Sequence, residues 1–286
     1  MAPLPPYVYA SVPLILVSLW HAICSSRSYA RSPSLFYART WHPLPRVRYG
    51  ELVVEILALA AATAYYATVV CSLRRGSTSE ILALQQLCML IFFTGVFLIT
   101  FISEATVALP LPQDAHFSLL GVAFAIECFV AVCSASDPNL SFQLESFRIL
   151  AALAAFSSSI CFLLAWRSSS FLLSITFSAS LALQGTWLFQ IGVSLYSDRF
   201  LPEGCHHLST GYTQCDVEVA KQRAVTIMDL LLIIHAFVII FVYVFVYALA
   251  CRGIAHARRN SGYDPMDVNG DSDHLQMKPL SKVVID

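Results

Sequence analysis

Charge is what this sequence has least of: 12% of its residues are Asp, Glu, Lys or Arg, about half of the roughly 25% that keeps a globular surface in water. A chain so poor in charge and 57% hydrophobic cannot present an ordinary aqueous surface, and it needs lipid as its solvent. No continuous basic patch exists outside short clusters flanking apolar runs, which excludes nucleic acid as a partner. The opening MAPLPPYVYASVPLILVSLWHAIC lacks the basic region and small-residue cleavage site of a secretory signal, so it reads as a retained first helix. Also missing are G-x-S-x-G, H-E-x-x-H, a phosphate-binding loop and a dinucleotide fingerprint, so no catalytic constellation is legible and no cofactor is expected. The ten-residue alternation of a membrane barrel and any internal repeat are absent as well.

What is present is a series of long apolar runs. A hydrocarbon layer about 30 Å thick takes about 20 apolar residues in helical form, and seven runs meet that length: Val8 to Cys24, Leu52 to Val70, Ile81 to Ile102, Phe117 to Cys133, Ile149 to Trp166, Phe171 to Leu195 and Val225 to Ala250. The fold class is therefore all-α, a polytopic bundle of seven transmembrane helices, because backbone polar groups left unpaired in hydrocarbon are too costly for any open alternative. The fifth and sixth runs are separated only by Arg167 and a few serines, which predicts a tight helical hairpin. Residues 1–251 make the transmembrane domain and residues 252–286 a polar tail without helical periodicity, expected to be disordered and cytosolic.

Orientation follows the arginines. Arg27, Arg31, Arg39, Arg46 and Arg48 crowd the first loop, Ser25 to Tyr49, without an acid, and Arg252, Arg258 and Arg259 follow the last run. Both segments are expected in the cytosol, leaving the N-terminus and the loop Ser197 to Arg223 outside or in a lumen. Arg74 and Arg75 in the second loop run against this scheme.

The stretch LQGTWLFQIGVSLY, Leu183 to Tyr196, followed by LPEGC, Leu201 to Cys205, closely resembles the transmembrane protein 45 family of uncharacterised multipass proteins. Similar pieces occur in order: LILVSLWH ending at His21, SPSLFY at Ser32 to Tyr37, RYGELVVE from Arg48 to Glu55, Ile126 with Glu127, and Cys215 with its helical continuation to His235. The likeness runs from about residue 8 to residue 250 and is nearest to the plant-type branch, whose loop between the last two helices carries two cysteines. Members typically have histidines in the third and fourth helices. Here those regions read QQLCML, Gln85 to Leu90, and ECFVAVCSASDPNLSFQLES, Glu127 to Ser146. The resemblance implies seven spans and brings no established chemistry.

Ionisable side chains at mid-membrane depth cost roughly 2.5 to 3.5 kcal/mol, so they normally face the bundle interior. Glu55, Glu127, Asp229 and His235 qualify. Together with Gln85, Gln86, Gln184, Trp187 and Gln190, the last three of these are expected to line a polar cavity open to the outer side, between helices three, four, six and seven. The competing expectation is interhelical hydrogen bonding with no ligand. Gln184, Trp187, Ile191 and Ser194 recur at helical spacing on one face, with Gly185 and Gly192 leaving room for close approach. Asp229 and His235, six residues apart, point about 120° away from each other. Glu51 and Glu55 share a face near the cytosolic end of the second helix, where the arginine-rich loop can neutralise them, and Glu51 is expected to snorkel to the interface. His21 and His235 are the histidines within the seven runs, too few for a two-haem carrier.

Cys205 and Cys215, in a loop expected to face an oxidising space, are expected to form a disulfide. A zinc site using His206 and His207 is the less favoured use of the same loop, because adjacent ligands do not match zinc spacing. Asn139-Leu140-Ser141 is a glycosylation sequon, and Cys251 beside Arg252 is a candidate for palmitoylation. The tail's Asp267, Asn269, Asp271 and Asp273 imitate a calcium loop, but Ser272 and Lys278 stand where its glycine and glutamate belong. The first functional expectation is a non-enzymatic membrane protein that organises, traffics or responds to stress through protein partners. The second is a small-solute or proton carrier, and the third a membrane redox or metal-dependent enzyme.

Overall fold

The structure is a computed structural model and describes residues 5–44, 46–135, 141–196, 200, 203–207, 213–215 and 217–260. Among the described residues, seven helices are long and apolar enough to cross a membrane: α1 (Pro5–Arg31), α2 (Gly50–Ser72), α3 (Thr78–Ala105), α4 (Gln113–Ser134), α5 (Ser141–Trp166), α6 (Phe171–Tyr196) and α7 (Glu218–Asn260). Two short strands, β1 (Cys205–His207) and β2 (Thr213–Cys215), pair antiparallel between α6 and α7. The chain is thus the expected all-α integral membrane bundle, with one small hairpin that the apolar pattern did not announce.

The helices order themselves as neighbours in the series α2, α3, α4, α5, α6, α1, with α7 laid against α1, α5 and α6. α1 and α6 form an intimate antiparallel pair. Ser11, Ser18 and Ser25 recur every seven residues along α1, and all three are buried. Their small side chains let the backbones approach, as small residues do between membrane helices. Ser178 Oγ donates to the Ser18 carbonyl at 2.5 Å, Ser25 and Ser174 hydroxyls meet at 3.1 Å, and Gly185 faces Ser11, Leu14 and Ile15. The main apolar core, with Phe93, Phe117, Phe124, Leu164 and Phe177, fills the space among α3, α4, α5 and α6.

Several boundaries differ from expectation. α1 continues through Ser25 and Ser26 to Arg31, because neither Pro nor Gly occurs between Cys24 and Pro33 and both serines bury against the bundle. α4 begins right after Pro112 and so takes in His116, a buried histidine outside the apolar run, whose Nδ1 lies 3.2 Å from Thr100 Oγ1. α7 runs on to Asn260, so the residues from Arg252 to Asn260 are helical rather than tail. At about 1.5 Å per residue it is roughly 64 Å long, longer than a bilayer is thick. The α5–α6 hairpin forms as expected, its turn closed by the Ser170 N–H on the Arg167 carbonyl at 3.3 Å.

The arginine-rich loop is folded across one end of the bundle. Phe36, Ala38, Trp41 and His42 are buried. Phe36 packs edge-on against Tyr29 and Phe171, and the Ala38 N–H bonds the Ser168 carbonyl at 2.8 Å. At the far side of the loop, a Cβ on Gly50 would lie 2.7 Å from Leu44 Cδ1, so the loop turns closely onto the start of α2. That fold-back carries His42 over Glu51.

Candidate functional site

The most concentrated polar chemistry in the described residues lies where α1, the folded loop and the first turns of α2 meet. Glu51 is in the first turn of α2 and is 6% exposed. Its Oε2 accepts the Trp20 indole N–H at 2.9 Å and the His42 backbone N–H at 2.7 Å. Its Oε1 lies 2.5 Å from His21 Nε2. Three donors from two segments thus converge on one carboxylate, and bonds of this charge-assisted kind are the strong ones. Glu51 does not snorkel, and the groups that meet it are N–H donors rather than arginines. The reason is the loop, which seals the helix end and leaves its arginines at the rim.

Glu55 follows one helical turn later. Its Oε2 is shielded from solvent and has no hydrogen-bond partner among the described residues. His21, Glu51 and Glu55 each bring a ligand atom to within 4.8 Å of the others. The His42 ring stands edge-on to His21, centroids 4.9 Å apart, and its buried Nε2 also lacks a partner among the described residues. Burial first, then the neighbouring His21 and Arg39, lowers the His42 pKa from 6.5 to about 3, so this imidazole is neutral at physiological pH. On the surface above, Arg39, Trp41, Pro43, Arg48 and Glu104 line a cavity of about 330 Å³. His42 lies between two of these residues in sequence. Arg48 also stacks over the Tyr49 ring at 5.1 Å, and the Tyr49 hydroxyl donates to the Glu104 carbonyl at 2.9 Å.

The residues expected to line an outer cavity fall into separate groups. Gln184 Nε2 donates to Glu127 Oε2 at 3.3 Å, so this pair does meet. Trp187 is fully buried, donates to the Ser146 carbonyl at 3.0 Å, and stands edge-on to the His235 ring at 6.4 Å. Gln190 bonds within its own helix, to Ser194 Oγ at 2.7 Å. Gln85 and Gln86 are half-buried on α3, which packs mainly on α2 and α4, and Gln85 Oε1 is buried without a partner among the described residues. Asp229 is exposed on α7 and turned away from the interior, contrary to expectation, because Ala224 and Met228 occupy the inward face there. Gln184, Trp187, Ile191 and Ser194 all bury along one face, as their spacing requires.

Cys205 and Cys215 are joined in a disulfide and face each other as partners of the β1–β2 ladder. The bridge consumes both thiols and with them the zinc alternative. Cys251 is half-buried on α7. Asn139 lies outside the described residues, as does the tail from residue 261.

His21 and Glu51 were legible separately: each sits in a fragment quoted for the family likeness, LILVSLWH and RYGELVVE. The contact between the fragments was not legible, and His42 drew no notice in a loop read only for its arginines. The signal was a pair of acids one turn apart at the apolar start of a helix, with no acid or base of its own to meet.

No curated protein matches the chain. Residues 113–248, from the start of α4 through most of α7 and just under half of the sequence, match a family of unknown function, DUF716.

Proposed function

We propose that this integral membrane protein handles a small cation at the junction of His21, Glu51 and Glu55, as a carrier of the transmembrane protein 45 type. The observation that supports it is the Glu55 carboxylate oxygen, buried and unpartnered beside a second buried carboxylate that already has its donors. Such an oxygen is costly to keep at membrane depth unless a positive charge or a proton meets it. A surface cavity lined by Arg39, Trp41, Pro43, Arg48 and Glu104 borders the loop that carries His42. This moves the carrier reading from Glu127, Asp229 and His235 to the opposite end of the bundle. The fragments from Leu183 to Cys205, and those around His21 and Glu55, favour that family, and the two cysteines of the α6–α7 connection, Cys205 and Cys215, favour its plant-type branch. The arginine bias favours a cytosolic face for this junction and an outer face for the disulfide hairpin.

An organising role draws less support from the first loop, whose Phe36, Ala38 and Trp41 are engaged in the protein's own base. The test is flux into proteoliposomes holding the purified full chain, read with ion-sensitive dyes across monovalent and divalent cations. Uptake that falls to background in Glu55→Gln, with the variant still monodisperse, is the expected result. Absence of flux for every cation tried removes the carrier reading.

A further inference from the structure

We propose that His21, Glu51 and Glu55 are the ligands of a divalent transition-metal ion of the zinc or manganese kind. The inference deepens the cation-handling reading and rests on it. His21 Nε2 and one oxygen of each carboxylate lie within 4.8 Å of one another, inside the protein. Metal–ligand bonds in such sites are about 2.0 to 2.2 Å, which sets tetrahedral ligands about 3.4 Å apart, so binding requires His21 Nε2 and Glu51 Oε1, now 2.5 Å apart, to separate by about 1 Å as Glu55 turns in.

Two further features point to an ion rather than to a hydrogen bond alone. Glu51 is oriented from behind: Trp20 and His42 hold Oε2 by their N–H groups, which leaves Oε1 to face His21. Outer groups that fix a ligating carboxylate in this way are the usual second layer of a metal site. Glu55 Oε2 is the complementary case, shielded from water with no donor among the described residues. A lone buried carboxylate oxygen needs a cation or a proton, and the nearest cationic candidate is one shared with Glu51.

Charge and donor type then select the ion. Two carboxylates and a neutral imidazole carry two negative charges, which a divalent ion cancels and a monovalent one does not. Calcium takes six to eight oxygens and magnesium keeps several waters. One nitrogen with two oxygens suits zinc or manganese, and three protein ligands leave a position open for exchange.

The test uses the purified full chain in detergent, stripped with chelator, with Zn²⁺ and Mn²⁺ added alone and bound metal counted after dialysis. One ion per chain is expected, and Glu55→Gln and His21→Gln each weaken it by more than about tenfold. Trp20→Phe removes only an orienting donor and weakens it by about 10- to 100-fold. Co²⁺ in the same site gives a visible ligand-field spectrum that changes in His21→Gln, a readout that mere destabilisation does not produce. Wild type that holds no stoichiometric metal, or metal retained in both Glu51→Gln and Glu55→Gln, overturns the proposal. The carrier reading is tested apart from it: flux of another cation without metal binding sinks the metal centre and keeps the carrier, while stoichiometric binding without flux supports the centre and removes the carrier.

Discussion

Glu51 and Glu55 stand one turn apart on the same face of α2, yet Glu51 collects N–H donors from Trp20, His21 and His42 while Glu55 Oε2, equally shielded, has none among the described residues. Trp20 and His21 reach the first carboxylate from α1, and the loop adds the third donor. It lays the His42 backbone on the first carboxylate and stops short of the second.

Opposite stability effects are therefore expected from two substitutions on one helix face. Glu51→Leu leaves three N–H groups against an apolar side chain, and each unsatisfied buried donor costs about 1 to 3 kcal/mol, without strict additivity. Glu55→Gln removes no hydrogen bond of Oε2 and relieves an unpaired buried carboxylate oxygen, so with metal stripped it is expected to equal or exceed wild type in stability. Thermal unfolding in detergent with chelator present checks the order. A Glu55→Gln chain as unstable as Glu51→Leu contradicts it.

His42 gives the fold an acid sensitivity. Burial, His21 and Arg39 hold its pKa at about 3 in the folded chain against 6.5 for an ordinary imidazole. As pH falls the unfolded chain therefore takes the proton first. Its contribution is complete above 6.5 and erodes by up to about 1.4 kcal/mol per pH unit below that, until the folded value is reached. His21 and Glu51 adjoin His42, so the informative quantity is a difference. His42→Gln keeps the backbone N–H on Glu51, and its stability is expected to fall less steeply than wild type below pH 6.5. Parallel curves in a pH series of unfolding midpoints rule this out.

The α1–α6 seam predicts a sharp contrast between two glycines. A Cβ at Gly185 would meet Ile15 Cγ1 at 2.9 Å and the Ser11 carbonyl oxygen at 3.1 Å, the latter a backbone atom that cannot turn aside. Gly185→Ala is expected to cost about 1 to 3 kcal/mol through overpacking. A Cβ at Gly95 meets nothing within 4 Å, so Gly95→Ala gains about 0.5 to 1 kcal/mol of helix stability. Melting temperatures of the two variants that shift the same way dismiss this account of the seam.

The spans were legible because each apolar run is cut by charge or a turn, and lipid leaves such a run only one regular structure. The buried face of Gln184, Trp187, Ile191 and Ser194 was legible for the same local reason, spacing along one helix. Which helices touch was not. The heptad of Ser11, Ser18 and Ser25 was visible in the sequence, but nothing in α1 names α6 as its partner, and that pairing joins residues some 160 positions apart. The junction at Glu51 is not legible in the sequence, because a helix end by itself suggests contact with water. Whether an end is wet depends on what the neighbouring loop does, and here the buried Trp41 and His42 close it.

The disulfide turns the proposed orientation into a measurement. Cys205 and Cys215 are bridged, whereas Cys24, Cys71, Cys88, Cys128, Cys133, Cys161 and Cys251 are free. A bridge persists in an oxidising space, so the hairpin is expected outside or in a lumen and Cys251 at the cytosolic face. Closing a loop with a sequence separation of 10 stabilises by about 3 kcal/mol at most, a contribution confined mainly to the α6–α7 connection. In intact cells, or in vesicles sealed with the same face outward, a membrane-impermeant reductant followed by a bulky maleimide is expected to label Cys205 and Cys215. Cys251 is expected to react only after permeabilisation. Single-cysteine and paired-cysteine chains separate these signals from the thiols buried in the bundle. If the impermeant reductant reaches the bridge only in inverted vesicles, the chain sits the other way round, and the arginines of the first loop lie outside. The cavity beside Trp41 then opens outward too, so the same labelling that fixes the hairpin also decides from which side a cation would reach Glu51 and Glu55.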